Sequence, residues 1–184
     1  MRIDKLTNQL QIALSDAQSL ALGKDHNAIE PLHLLSTLID QKNGSIKPLL
    51  TQAGANVAAL KEAVLQEVDK LPTVSGGDGD VHMSNDLARV LNVADKHSQK
   101  NNDAYISSEI VVLAMLESNS TAGKMLTQAG VSTQSLTAAI ENVRGGEADD
   151  LIEGEVPRHD SEKWAFGCVL NEGLGILDIH LLIS

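Results

Sequence analysis

The hydrophobic pattern of the chain is dominated by one stretch, 106–117, in which every residue from Ile110 to Leu116 is apolar. No face of such a segment is suited to water, which indicates a buried helix and not an amphipathic surface helix. A buried strand is the alternative, because Ile110, Val111 and Val112 are β-branched and a short apolar run is ambiguous.

The same stretch occurs 77 positions earlier, at 29–40, and this earlier copy favours the helix. Leucine, threonine and serine stand there where valines stand in the later copy, so helix formation is the property that the two share. Pro31 lies one place inside the start, where helices accept proline. In the later copy we expect Ser107 to cap the helix and Glu109 to place a carboxylate in its positive first turn.

Both stretches lie in a longer unit of four predicted helices, and this unit occurs twice. Its first helix has apolar residues at helical spacing and is predicted to run from Asp4 to Leu22, with Gly23 ending it. The third helices finish in Leu-Leu-Thr-Gln-Ala-Gly54 and Met-Leu-Thr-Gln-Ala-Gly130, and glycine there is typical of a left-handed helix C-terminus. The predicted N-caps of three other helices are Ser84, Asn56 and Ser132.

The duplication predicts an all-α fold. Each all-apolar helix needs neighbours on every side, so we expect a pseudo-twofold bundle of eight helices with these two at its centre. The predicted boundaries are repeat one at 1–72, a linker at 73–81 and repeat two at 82–146, within one domain at 1–146.

The last segment, 147–184, differs from the repeats. It holds 9 acidic and 2 basic residues together with Trp164 and Phe166, and its apolar residues follow no clear period. We interpret it as a tail foreign to the fold, disordered or loosely packed, and a small accessory segment that packs on the bundle is the alternative.

Composition narrows the class of protein. The formal net charge is -11, whereas a protein that binds nucleic acid needs a cationic surface, so we expect no nucleic acid as a partner. The single cysteine, Cys168, cannot form an intrachain disulfide. The first residues are too polar for a signal peptide, and no stretch reaches the roughly 18 apolar residues of a membrane span. We expect a soluble cytoplasmic protein that does not enter a membrane.

Signals of catalysis are weak. The sequence has no Walker A loop and no nucleophile elbow. His33 lies on a predicted buried helix without partners at metal-ligand spacing, which favours a hydrogen-bonded core histidine. We therefore expect no enzymatic activity, no cofactor and no metal.

The remaining hypothesis is that the protein binds another polypeptide, and we expect the binding site at the seam between the two halves. Asp103 and Glu109 flank the entry to the second central helix, Leu91 and Ile110 lie on the elements that they bracket, and Thr7 begins the first helix. Apolar residues ringed by carboxylates are suited to holding an extended peptide weakly. The alternative is that the apolar pair is plain core and that the carboxylates only serve loop solvation and the helix dipole.

With the repeat described, the chain resembles the N-terminal domain of the ClpB family of bacterial protein disaggregases. The resemblance implies an all-helical repeat domain, mobile on a linker, that engages unfolded or aggregated polypeptides. It also implies a peptide groove at Thr7, Leu91, Asp103, Glu109 and Ile110. The segments that carry it are Met1-Arg-Ile-Asp-Lys-Leu-Thr-Asn-Gln-Leu-Gln11, Ala17-Gln-Ser-Leu-Ala-Leu-Gly23, Ile29-Glu-Pro-Leu-His-Leu-Leu35, Ile106-Ser-Ser-Glu-Ile110 and Arg144-Gly-Gly-Glu147.

The chain departs from the family after Glu147, where the family continues into an ATPase ring with Walker motifs. Without that ring, the resemblance predicts a monomer that neither hydrolyses ATP nor threads a substrate.

The leading hypothesis is a non-catalytic chaperone module that weakly binds exposed apolar segments of unfolded or aggregated proteins. The alternatives are a docking domain for a folded adaptor protein, a regulator or decoy that acts beside a full-length ClpB disaggregase, and a truncated fragment without function.

Overall fold

The computed structural model describes residues 3–74 and 81–149, and this part of the chain folds into eight α-helices. A 3-10 turn at Ile3–Lys5 precedes them. The all-α prediction and the count of eight helices are confirmed for the described residues. In chain order the helices are α1 Asn8–Gly23, α2 Pro31–Asp40, α3 Ile46–Gln52, α4 Val57–Asp69, α5 Asn85–Lys100, α6 Ser108–Glu117, α7 Thr121–Gln128 and α8 Thr133–Asp149.

Most of the predicted helix ends are confirmed. The side chains of Ser84, Asn56 and Ser132 accept hydrogen bonds from backbone N–H groups three residues on, at 3.1, 3.2 and 3.0 Å. Gly54 and Gly130 adopt φ values of 94° and 90°, in the left-handed region that a side chain disfavours. These local signals end and begin the helices where the sequence pattern places them.

One predicted helix start and one predicted capping bond are wrong. Helix α1 begins at Asn8 and not at Asp4, because Leu6 leaves the helical path to pair with another part of the chain and Thr7 becomes the N-cap. Ser107 occupies the N-cap position of α6, but its side chain makes no capping bond and its buried Oγ has no hydrogen-bond partner among the described residues.

The two apolar helices, α2 and α6, form the centre of the molecule as predicted. In α2 all residues but Thr37 and Asp40 are buried, and α6 is buried without interruption from Ser108 to Met115. Each packs mainly against the first helix of its own repeat, α1 or α5, and the two also contact each other. A single hydrophobic core therefore runs through both repeats.

Short parallel pairings, which the sequence pattern did not reveal, tie the two repeats together. Leu6 forms a bridge with Ile106, and the two-residue strand β1, Ala28–Ile29, pairs with β2, His82–Met83. The two contacts correspond to each other, since each joins the segment before the first helix of one repeat to the segment before the second helix of the other. Backbone hydrogen bonds across the repeats thus obey the same twofold relation as the helices.

Helix packing across the seam follows that relation too. Helix α3 of repeat one packs on α8 of repeat two, and α7 of repeat two packs on α4 of repeat one. At each end of the seam, a third helix of one repeat therefore lies against the last helix of the other.

A buried histidine pair closes the loop between α1 and α2. The Nδ1 atom of His33 accepts a 2.9 Å hydrogen bond from the N–H of Glu30, so the proton of that ring lies on Nε2. Nε2 then donates to Nδ1 of His26 over 2.8 Å. The expected core histidine is confirmed, with a partner that the sequence analysis did not identify.

The environment keeps this pair neutral. Burial, aided by the neighbouring His26 ring, lowers the pKa of His33 to about 4, and burial and Lys24 lower the pKa of His26. A proton added to Nδ1 of His26 would face the N–H of His33 Nε2, and a proton added to Nδ1 of His33 would face the N–H of Glu30, so either one would break a hydrogen bond of the pair.

The pair should make the stability of the fold depend on pH. Because the folded pKa of His33 lies below the unfolded value of 6.5, its contribution is complete above pH 6.5 and is lost as the pH falls towards about 4. The expected loss is on the order of 3 kcal/mol in the free energy of unfolding. NMR titration of the imidazole signals of the folded protein checks the cause directly, and a His33 ring that titrates near 6.5 would contradict it.

Gly123 is required where α7 crosses the end of α6. A Cβ atom at this position would lie 2.1 Å from the carbonyl oxygen of Met115. Gly123→Ala should therefore lower the free energy of unfolding by about 1–3 kcal/mol, although alanine favours helix over glycine. Gly23→Ala is the matched control, because nothing lies within 4 Å of its added Cβ, and urea unfolding should show it neutral or slightly stabilising. Equal stability of the two variants would contradict the close approach.

Candidate functional site

A groove with a volume of about 350 Å³ opens at one end of the seam between the repeats. Helix α3 supplies one wall, α8 supplies the other, and the loop between α5 and α6 with the start of α6 supplies the rest. Apolar side chains and a few polar groups line it together. The lining residues are Ser45, Pro48, Leu49, Gln52, Asp103, Tyr105, Ser107, Glu109, Ile140, Val143 and Arg144.

Two carboxylates lie in this groove, and each has a different partner. Glu109, buried in the first turn of α6, accepts a 2.9 Å hydrogen bond from the Oγ of Ser45 on the other repeat. Asp103 has its Oδ2 atom 3.6 Å from Nη2 of Arg144 on α8. The groove is therefore acidic on balance, with two carboxylates facing one guanidinium.

Two buried oxygen atoms of the groove lack a hydrogen bond within the described part of the chain. They are Oδ2 of Asp103 and Oγ of Ser107. Buried polar groups in proteins are nearly always paired, because an unpaired one costs about 1–3 kcal/mol. Both atoms therefore keep unused hydrogen-bonding capacity beneath the surface of the groove.

The structure brings together two of the five predicted site residues. Asp103 and Glu109 line the groove, whereas Thr7, Leu91 and Ile110 do not. Thr7 is the buried N-cap of α1, and Leu91 and Ile110 are core side chains with exposed fractions of 1% and 3%. A polar substitution at Leu91 or Ile110 would therefore disturb the core and could not report on binding alone.

Most of the remaining lining residues escaped sequence reasoning because they lie on α3 and α8, which meet only through the twofold packing. One signal for them was present in the alignment of the two repeats. Arg144 occupies the place that Val68 occupies 76 positions earlier, and Val143 the place of Glu67. A charged residue in place of a buried valine marks the point where the repeats cease to be equivalent.

Other kinds of site receive no support from the described residues. Within 3–74 and 81–149 no group of three or more histidine, cysteine, aspartate or glutamate side chains is arranged to hold a metal ion. No helix in the same residues is long and apolar enough to cross a membrane.

Fold and groove together define a helical double-repeat domain with an acidic cleft at its seam. The sequence model of the Clp repeat (R) N-terminal domain matches residues 5–143. The chain belongs to this family.

Curated relatives are full-length chaperones. The chain is 48% identical over 178 residues to the chaperone protein ClpB of Pseudomonas putida, covering 97% of this chain and 21% of that protein. The ClpB of Vibrio cholerae is 43% identical over 178 residues, with the same shares covered. The chain thus spans about a fifth of the length of these relatives. Both alignments include most of 147–184. Residues 150–184 lie outside the part of the chain that the structure describes, and the proposed domain boundaries stay predictions.

Solved structures share the fold. The N-terminal domain of Hsp104 from Candida albicans superposes with a TM-score of 0.68 at 23% identity, covering 77% of this chain and 92% of that one. The ClpV N-domain in complex with a VipB peptide has a TM-score of 0.62 at 26% identity, covering 73% of this chain and 83% of that one.

Proposed function

We propose that this domain is a non-catalytic chaperone module that binds exposed apolar segments of unfolded or aggregated proteins in the groove between α3 and α8. The single observation that supports this most is the groove itself. Its volume of about 350 Å³ lies in the range of ligand-binding pockets, about 300–1,000 Å³. Apolar walls with a few fixed polar groups are typical of such sites.

The family supports a peptide as the ligand. The ClpV N-domain, which shares this fold, has been solved in complex with a VipB peptide. We infer that the present domain also takes a segment of polypeptide, and that it acts as a cytoplasmic monomer beside or within a ClpB disaggregase that supplies ATP hydrolysis.

The expected affinity is low. Two or three apolar side chains that enter the groove gain about 3–8 kcal/mol. Association opposes this with about 4–15 kcal/mol of lost freedom. The largest gain set against the smallest cost leaves about 4 kcal/mol, so the dissociation constant should be about millimolar. Weak binding suits a module that must release its cargo.

Val143→Glu tests the groove. The substitution places a carboxylate on the apolar wall, which an apolar ligand side chain cannot solvate, so binding should weaken at least about tenfold. The fold should tolerate it, because repeat one carries Glu67 at the corresponding position. Fluorescence anisotropy with labelled unstructured peptides of unrelated sequence, each rich in large apolar residues, measures the effect.

Ile12→Ser is the matched control. Ile12 is an apolar residue on α1, 51% exposed and outside the groove, so its replacement should leave peptide binding unchanged. Circular dichroism must show both variants as helical as the parent. Equal peptide binding by Val143→Glu and the parent would refute the groove, and selective binding of one folded protein in place of many unrelated peptides would favour an adaptor-docking domain.

A further inference from the structure

The backbone of Asp103 is fixed by a hydrogen bond, but its buried carboxylate is incompletely hydrogen-bonded. The loop turns at Asn102, with φ of 57°, and the N–H of Asp103 donates to the carbonyl of Ser98 over 2.8 Å. Only 3% of its side chain is exposed, yet Oδ2 lacks a hydrogen bond within the described residues. Arg144, at 3.6 Å, lies beyond hydrogen-bonding distance and neutralises the charge only loosely.

The other repeat shows what Asp103 lacks. The residue 77 positions earlier is His26, which follows Asp25 with φ of 56° and donates its N–H to Ala21 over 2.9 Å, so the two loops share one backbone path. In repeat one the side chain at this place is paired internally, because His33 donates to it. Ile110 stands where His33 stands, and it offers no hydrogen bond.

The second difference lies on the last helix. Where repeat one has the fully buried Val68, repeat two has Arg144, whose side chain remains 33% exposed. The place is internally paired in repeat one, whereas the corresponding place in repeat two lines the groove. In this pocket a buried carboxylate faces a partly solvated cation on a neighbouring helix.

The chemistry of a ligand that would complete this pocket follows from its atoms. Oδ2 of Asp103 only accepts hydrogen bonds, Oγ of Ser107 can accept or donate one, and the nearby Glu109 adds a second negative charge. An ammonium or guanidinium group has donors and charge to match. The apolar walls at Pro48 and Val143 suit the hydrocarbon stem of such a side chain, or an apolar neighbour in the ligand.

We propose that Arg144 is a tethered competitor, which holds the place of a ligand cation at Asp103 until a lysine or arginine side chain of a bound segment displaces it. This inference rests on the proposed function, since it assigns the residue preference of the same groove. The preferred segments then carry a basic residue beside apolar ones. An acidic or phosphorylated segment would meet two carboxylates and is disfavoured.

The test compares one unstructured apolar peptide that contains a central lysine with its counterpart that contains norleucine at that place. The measured quantity is the ratio of their dissociation constants. The parent domain should favour the lysine peptide. Arg144→Gln removes the competing charge, so the preference for lysine should increase about threefold to tenfold. Asp103→Asn, which keeps the shape of the side chain, should reduce the ratio to about one.

Arg89→Gln is the matched control. Arg89 lies on α5 outside the groove, 3.2 Å from Asp86, so its replacement changes the net charge equally but should leave the ratio unchanged. Raised salt should also weaken the lysine peptide more than the norleucine peptide.

The outcomes separate the two proposals. If both peptides bind the parent but neither Arg144→Gln nor Asp103→Asn alters the ratio, the tethered competitor is refuted and the peptide groove stands. A loss of lysine preference in Arg144→Gln, or stronger binding of a glutamate counterpart, would also refute it. If neither peptide binds the parent, the proposed function fails.

Discussion

The structure depends on the mutual burial of two helices that are enclosed on nearly every side. Helices α2 and α6 can be shielded from water only if other helices surround them. One repeat supplies too few neighbours, so each repeat contributes helices to the cover of the other. The core is therefore shared, and the two repeats form one folding unit although the sequence shows two copies. The parallel pairings at Leu6 and at β1 also join the two repeats through backbone hydrogen bonds.

The core follows the twofold relation of the repeats, but the two ends of the seam differ in their residues. The twofold relation produces two equivalent places where a third helix meets a last helix, and the residues at those places have diverged. Repeat one fills its place with a neutral histidine pair and with valine. Repeat two places Asp103 and Arg144 there, with Ile110 where the second histidine would be. One scaffold thus carries a groove at the end of the seam where the residues of the two repeats differ.

Much of the fold was accessible from the sequence, because helix periodicity, glycine at C-termini and serine or asparagine caps are local signals. The sequence could not predict that α1 starts at Asn8 or that the Ser107 side chain makes no capping bond, since contacts with distant parts of the chain determine both. Leu6 leaves the helix because Ile106 pairs with it. The groove escaped for the same reason. Its carboxylates lie in one segment and were identified, but its walls come from helices that approach each other only in the folded repeat pair.

The family resemblance predicted a peptide site, and the residues of that site stay a prediction. It placed Leu91 and Ile110 in a peptide site, whereas both side chains are core residues here and the accessible apolar wall is formed by α3 and α8. A resemblance of this kind carries a fold from one protein to another. Which atoms remain open to that ligand depends on packing, and packing has to be seen residue by residue.

The most direct test is an NMR map of the isotope-labelled domain during titration with an unstructured apolar peptide. Shift changes should concentrate on α3, on α8 and on the loop that holds Asp103 and Tyr105, and α1 should stay unaffected. Changes centred on Thr7 and the helices that carry Leu91 and Ile110, with α3 and α8 unchanged, would contradict it.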